Sequence, residues 1–272
     1  MKQVNNMKTG NRKFSVVMPA YNAEKTISES ILSVQRQIYQ DWELIVVDDH
    51  SSDNTSDVVS QIQRSDDRIT LIRSSRNYGV AKTRNQALAN AEGQYLAFLD
   101  ADDTWTSDKL NHQYSAFKAG AKVVFGSYRR VFKNNTYQVV RAKPRIDEKI
   151  FVYYNPIGNL TGAYDRSIGV VEQKSVRHED YLMWYEIVRR SRYAVGINEI
   201  LGDYRVSSTS LSSNKFKAAK WHWQILRDEM KLSGGQATVG FLGYAINTVN
   251  IRLSRISKST DICSQDKESS KI

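Results

Sequence analysis

The sequence predicts an α/β fold, a mostly parallel sheet flanked by helices, on three observations. Four apolar runs, FSVVM, WELIVVDD, RITLIR and QYLAFLD, are separated by stretches with helical apolar spacing. The runs are continuous rather than alternating, as strands covered on both faces require. Three of them end in polar sequences, PAYN, DDHSSDNT and DADD, and ligands of such sheets bind beyond the carboxyl ends of the strands.

Residues 1–12 are polar and basic and read as a disordered lead-in, with no apolar segment of a signal peptide behind them. Phe14–Met18 reads as the first strand, closed by Pro19. Glu24 to Gln37 reads as a helix with a stripe at Ile27, Ile31, Val34 and Ile38. The second strand ends in Asp48 and Asp49, and SSDNTSDVV supplies caps for the next helix, with Ser51 or Asp53 as candidates. After the third strand, GVAKTRNQALANA reads as a helix with small residues toward the sheet. The fourth strand runs into DADD, where Asp102 or Asp103 can cap a helix starting near Thr104. A helix at Lys109–Lys118 and a fifth strand, AKVVFG, follow.

Beyond residue 127 the alternation weakens. YRRVFKNNTYQVVRAK reads as a hairpin turning at Asn134–Asn135, then come a helix from Glu179 to Arg190 and strands YAVGI and GDYRV. Phe216, Ala219, Trp223, Leu226 and Met230 mark an amphipathic helix. After a Gly234–Gly235 break a second runs from Ala237 to Ile256, with Arg252, Arg255 and Lys258 at its end. The expected organisation is a lead-in (1–12), a ligand-binding half (13–127), a second half of the same domain (128–212), C-terminal amphipathic helices (213–260) and a disordered tail (261–272).

The 272 residues, 40% hydrophobic and 25% charged, are those of a folded chain rather than a disordered one. A single cysteine, Cys263, excludes a disulfide framework, points to a reducing compartment and, with the sparse histidines, leaves no zinc pattern. No stretch is apolar for the ~18 residues of a spanning helix. The net charge of +10 comes wholly from residues after 112. A basic C-terminal half suits an anionic surface or ligand, or is simply a solvated face.

Asp100 and Asp102, two residues apart past a strand end, can turn toward one point, where a hard cation relieves their repulsion. They equally suit a solvated turn. Asp49 can accept from a nucleobase N–H or a ribose hydroxyl. Tyr21 offers a ring for base stacking or a core residue. Gly79 sits at a turn, and Arg84 follows in a helix whose start faces the same crevice, where it can neutralise phosphate.

In this order and spacing, VVMPAYNAEKTISESILSVQRQIYQDWELIVVDDHSSDNT and NYGVAKTRNQALANAEGQYLAFLDADD resemble the nucleotide-sugar half of the family 2 inverting glycosyltransferases, which share the GT-A fold. The resemblance is dense over residues 14–110 and thinner from 155 to 230. It implies a nucleotide cleft of Pro19, Ala20, Tyr21, Asn22, Asp49, Gly79, Arg84, Asp100 and Ala101. Tyr21 would stack on uracil, Asp49 would bond the base and Asp100 would lie by the ribose. Asp102 would hold Mn²⁺ or Mg²⁺ on the diphosphate, leaving Asp103 as a cap or supporting residue. The base would be Asp180 in His178-Glu179-Asp180, with Glu179 as competitor. Where relatives carry Tyr-Arg-x-His, this chain has Tyr204-Arg205-Val206-Ser207, which removes the histidine and leaves Arg205, with SSTSLSSNK, to meet the diphosphate.

The implied activity is metal-dependent, inverting transfer of a hexose or N-acetylhexosamine from a UDP-sugar. The acceptor would be a glycan on a polyprenyl diphosphate, in O-antigen or capsule synthesis, peripherally on the cytoplasmic face of the inner membrane. The late helices are alternatively core or dimer elements. A sugar nucleotidyltransferase would carry a glycine-rich basic loop after the first strand, and PAYNAEKT is not one. A nucleic-acid-binding protein fits the charge but shows no motif.

Overall fold

The structure, a computed structural model, describes residues 13–134, 136–176, 179–206 and 215–246, with backbone alone for 215–218. The lead-in, Asn135, His178, Ser207 and the loop after it, the Phe216 side chain and everything from 247 on, Cys263 and the tail included, lie outside the described residues. Two compact units are distinguished, Met1–Glu148 with Pro156–Ser210 and Lys149–Asn155 with Leu211–Ile272.

In the first unit β1 (Phe14–Ala20), α1 (Ile27–Gln35), β2 (Trp42–Asp48), α2 (Thr55–Gln63), β3 (Ile69–Arg73), α3 (Val80–Asn90) and β4 (Tyr95–Phe98) alternate as expected. Their strands are parallel, in the order β3-β2-β1-β4. Then follow β5 (Thr104–Trp105), α4 (Lys109–Lys118), β6 (Val123–Val131), β7 (Tyr137–Val140), β8 (Arg145–Ile146), β9 (Ala163–Asp165), α5 (Glu179–Ser191) and β10 (Ala194–Arg205). The sheet continues β9-β6-β10-β5, with β9 antiparallel to both β4 and β6 and β10 parallel to β6. The hairpin is present, β7 pairing back onto β6 from Val131↔Tyr137.

Both sheet faces are covered. Val16, Met18, Leu44 and Val46 pack in one cluster with Ile27, Ile31 and Val34 of α1 and Leu110 and Phe117 of α4. Elsewhere Phe98 of β4, Tyr164 of β9 and Trp184 of α5 form an aromatic triad with centroids 5.4–6.3 Å apart. Gly162 makes room for it, since a Cβ there would lie 2.2 Å from Trp184 Cζ2. Trp184 therefore fixes α5 against β4 and β9 one turn after Asp180.

Several expectations are corrected. Pro19 does not close β1, which runs to Ala20 with Pro19 opposite Val47. The Val17 carbonyl accepts from Leu99 N–H on the β4 side. Two residues on, Pro19 faces that same side and has no N–H with which to extend the ladder, and the pairing with β4 stops at Val17↔Phe98. α1 starts at Ile27, and Ile38 lies beyond it, 64% exposed. No helix begins near Thr104. Thr104–Trp105 instead pairs antiparallel with β10 through Trp105↔Gly202. YAVGI and GDYRV are one strand, bulged between Ile197 and Asp203.

In the second unit α6 (Lys215–Gln224) runs into a π-helical turn, Ile225–Glu229. His222, Ile225 and Leu226, at the i, i+3, i+4 spacing of one helix face, are buried, while Trp223, expected on the apolar stripe, is exposed. His222 Nε2 lies 3.1 Å from the Val152 carbonyl and its ring stacks 4.2 Å from Tyr244. Gly234–Gly235 do not break the chain, because residues 234–246 are already helical. Ser233 N–H donates to Gln236 Oε1 and Gln236 N–H to Ser233 Oγ, a capping box that starts the helix despite its glycines. Among the described residues no helix is long and apolar enough to cross a membrane.

A buried polar network holds the chain just past DADD. Gln37 Nε2 donates to the Ser33 and Thr106 carbonyls, and its Oε1 accepts from Leu110 N–H. Lys109 is fully buried, with Nζ 2.8 Å from Gln113 Oε1 and 3.7 Å above the Trp105 ring. Burial pushes the Lys109 ammonium well below its ordinary value. The ring favours the charged form by about 2 kcal/mol, less than the several kcal/mol that desolvating an ion costs. Between its depressed folded pKa and the unfolded one near 10.4, the unfolded chain binds one more proton, so stability rises with pH there. Lys109→Met is expected to remove ~1.4 kcal/mol of that rise per pH unit. Urea titrations of both proteins at pH 8, 9 and 10 check this, and parallel stability curves would refute a neutral Lys109.

Candidate active site

The carboxyl ends of β1, β2 and β4 open into a cleft of about 530 Å³. Every residue expected around a nucleotide lines it: Pro19, Ala20, Tyr21, Asn22, Asp49, Gly79, Arg84, Asp100 and Ala101, with Asp102 beside them. Tyr21 is not a core residue; it is 54% exposed, its ring free of the apolar interior. Asn22 adopts φ +49°, a left-handed conformation that asparagine tolerates. Its Oδ1 accepts from Ser52 N–H at 2.9 Å and its N–H donates to Ser51 Oγ at 2.9 Å, joining the loops after β1 and β2. Asp53 serves the head of α2, its Oδ1 accepting from Thr55 N–H at 3.0 Å.

Asp49 has both carboxylate oxygens engaged by backbone, Oδ1 by Tyr78 N–H and Oδ2 by Gly79 N–H, each at 2.8 Å. It shapes the loop entering α3 from within the cleft wall. Gly79, at φ +86° and ψ 154°, occupies a region open essentially to glycine alone, which lets those two N–H groups converge on one carboxylate.

Arg84 is buried rather than presented to solvent. Its Nη2 lies 2.5 Å from Asp100 Oδ1, and its Nη1 lies 3.1 Å from Gln173 Oε1 and 4.0 Å from Glu179 Oε1. Among the described residues Nε is buried without a hydrogen-bond partner. Burial works to lower the Arg84 pKa, but the charge and hydrogen bond of Asp100, with the charges of Asp180 and Glu179, raise it overall. Glu179 and Asp180 form the acidic first turn of α5, so carboxylates from the end of β4 and from α5 share one guanidinium.

The three acids of DADD have separate environments. Asp100 carries the ion pair. Asp102 has its carboxyl raised by burial and then by the charge of Asp100, with Arg205 and Arg84 only partly compensating. Asp103 is raised well above the ordinary range by burial and by both neighbouring acids. It caps no helix, since none begins there; its Oδ1 accepts the Arg205 N–H at 2.9 Å and fastens the end of β10. The Arg205 guanidinium lies outside the cleft lining and pairs with Glu29 of α1 at 2.7 Å.

Among the described residues no group of three or more His, Cys, Asp or Glu is placed to hold a metal unaided. Asp102 still fits a divalent cation of the kind held by one or two carboxylates and substrate phosphates. Asp102 lines the cleft, and a carboxylate whose charge is disfavoured by desolvation and by Asp100 gains its missing counter-charge from such an ion.

Sequence reasoning did not find Gln173 and Asn85 beside Arg84, or Glu29 on Arg205. Their partners lie more than 80 residues away in the chain, so spacing carries no trace of them. Ala23, Thr26, Asn77, Val80 and Thr83, which also line the cleft, stand inside PAYNAEKT and NYGVAKTR and were recoverable from those motifs.

The model of the family described as Glycosyl transferase family 2 matches residues 15–180. An Escherichia coli UDP-Glc:alpha-D-GlcNAc-diphosphoundecaprenol beta-1,3-glucosyltransferase, WfgD, is 40% identical over 217 residues, 79% of this chain and 85% of that protein. Among solved structures, S. aureus TarS 1-349 in complex with UDP-GlcNAc matches with TM-score 0.65 at 20% identity, over 86% of this chain and 71% of that one. The Pyrobaculum calidifontis mannosyltransferase PcManGT, in complex with GDP-Man and Mn²⁺, matches with TM-score 0.64 at 19% identity, over 87% and 70%. At such identities the solved structures bear on the fold alone, which is that of these transferases.

Arg84→Met is expected to destabilise the protein by about 3–5 kcal/mol, because it strands the Asp100 carboxylate among other acids. Asp100→Asn in the same chain should recover about 2 kcal/mol of that loss. Urea denaturation of the two single variants and the double variant measures the coupling, and strictly additive effects would contradict the pair.

Proposed function

The chain belongs to glycosyl transferase family 2, and on that premise we propose the reaction and the residue roles that follow. As a member of an inverting family it transfers a sugar from a nucleotide donor. We assign the donor as a UDP-linked hexose or N-acetylhexosamine and the acceptor as a hydroxyl of a polyprenyl-diphosphate-linked glycan, in surface-polysaccharide synthesis. The relative at 40% identity, which its name says takes UDP-Glc to such an acceptor, supports the assignment.

One observation carries the residue roles: the cleft lined by Tyr21, Asp49, Arg84, Asp100 and Asp102 lies beside Arg84, which also meets Glu179 at the head of α5. The exposed Tyr21 ring offers its face to the base. Asp49 holds the Tyr78–Gly79 loop and retains lone pairs for a base N–H. Asp100, oriented by Arg84, takes the ribose side. Asp102 would hold Mn²⁺ or Mg²⁺, which when bound neutralises charge developing on the departing diphosphate.

Glu179, 4.0 Å from Arg84, is assigned to that guanidinium, and Asp180 to the acceptor. Asp180 removes the hydroxyl proton as the oxygen attacks the anomeric carbon opposite the nucleotide, which inverts its configuration. General-base catalysis contributes about 10²–10⁴-fold, and alignment of the two substrates much of the remainder. The Arg205 guanidinium reaches the diphosphate only by leaving Glu29.

We assign the second unit to peripheral contact with an anionic membrane, on the cytoplasmic face where the lipid-linked acceptor would be met. Val239, Leu242 and Ile246, three and four residues apart on the helix of residues 234–246, are all exposed. The sequence beyond continues with Arg252, Arg255 and Lys258. An exposed apolar stripe followed by cations suits anionic headgroups.

A screen of nucleotide sugars with Mg²⁺ or Mn²⁺ and synthetic lipid-diphosphate acceptors, read by mass spectrometry, tests the reaction. Asp102→Ala and Asp180→Asn are each expected to lower kcat by about 10²-fold or more, with circular dichroism unchanged. Turnover like wild type in either variant removes that residue from its role. The protein should also float with phosphatidylglycerol vesicles at low salt, where charge is least screened. Leu242→Glu should weaken flotation, and absence of flotation by the wild-type protein would refute membrane contact.

A further inference from the structure

Gln173 lies in the non-helical segment before α5 and is 3% exposed. Its backbone is spliced to α3, with Gln173 N–H donating to Asn85 Oδ1 at 2.7 Å and Asn85 Nδ2 returning a bond to the Gln173 carbonyl at 2.8 Å. Its side chain spans two elements. Oε1 accepts from Arg84 Nη1 at 3.1 Å, and Nε2 faces Met183 Sδ at 3.4 Å on α5. The amide orientation follows from chemistry, because the reverse would set N–H donors against a guanidinium that has only donors.

The geometry points to Gln173 as a positioning residue for sugar transfer, tying Arg84 on the donor side to α5, which bears Asp180. Arg84 Nη2 is held by Asp100, so Gln173 fixes the other amino group and with it the plane of the guanidinium. Met183 lies one turn beyond Glu179 and Asp180 on α5, so the same amide sets the depth of that helix. Neither contact involves substrate. The role lies in alignment, where a displacement of about 1 Å can cost ~10²-fold in rate.

The inference rests on the assignment of Asp180 as base, and the experiment separates the two. Gln173→Met keeps side-chain volume and apolar packing on Met183 but removes both the acceptor for Arg84 and the N–H that faces Met183 Sδ. It is expected to lower kcat at least tenfold, to leave the Kd for UDP within threefold and to speed hydrogen exchange over residues 179–186. A role in packing alone would spare this variant. Asn85→Ala releases the splice without touching the Gln173 side chain and should speed the same exchange. It carries the test if Gln173→Met does not fold. Wild-type kcat in Gln173→Met, equal losses of kcat and UDP affinity, or unchanged exchange of α5 in both variants would overturn the role. If the wild-type protein transfers no sugar from any donor, the functional assignment fails by itself, and the exchange measurement still decides whether Gln173 positions α5.

Discussion

The ion pair between Arg84 and Asp100 is the contact on which the site depends. Five carboxylates, those of Asp100, Asp102, Asp103, Glu179 and Asp180, come from the end of β4 and the head of α5. Without a buried cation among them their repulsion, together with desolvation, would open the cleft or protonate it. Arg84 supplies that cation from α3, a third element, and a guanidinium can do so because its planar fork reaches several acceptors at once. Asn85, Gln173 and the loop held by Asp49 all bear on where α3 begins or how its arginine is turned.

Compensation is nonetheless incomplete at one place. Asp103 is satisfied by a backbone N–H of β10, and Asp100 by Arg84. Asp102 is left with burial and like charge acting on it in the same direction. Residual charge beside a cleft open to solvent is what the proposed role of Asp102, toward a cation arriving with the donor, requires. Lys109 differs from Asp102 in being fully buried, hydrogen-bonded and enclosed, and burial alone pushes its ammonium below its ordinary value.

Much of the fold and of the cleft lining was legible in the chain. Continuous apolar runs with polar ends specify strands buried on both faces and the edge at which they stop. The residues that line the cleft stand in three short motifs, each bound to the end of its own strand. Chain order brings such motifs together, because right-handed crossovers place successive parallel strands with their carboxyl ends on one side. The misreadings fall where local pattern yields to tertiary pairing. Thr104–Trp105 has the polar and acidic neighbours of a helix start, yet β10 offers it a strand edge. Gly234–Gly235 look like a break, yet the reciprocal bonds of Ser233 and Gln236 satisfy their own two N–H groups at the helix start and nucleate it across the glycines.

The sequence by itself determined the layered α/β architecture, the position of the cleft and the chemical kinds of side chain in it, because periodicity and strand-end motifs are local properties. Tertiary structure alone decided how those side chains are spent. That Arg84 is buried on Asp100, that Asp49 shapes a loop, that Arg205 rests on Glu29 and that Gln173 joins α3 to α5 are contacts between segments 16 to 176 residues apart. No spacing rule reaches across such distances, since they are set by which elements the sheet brings side by side.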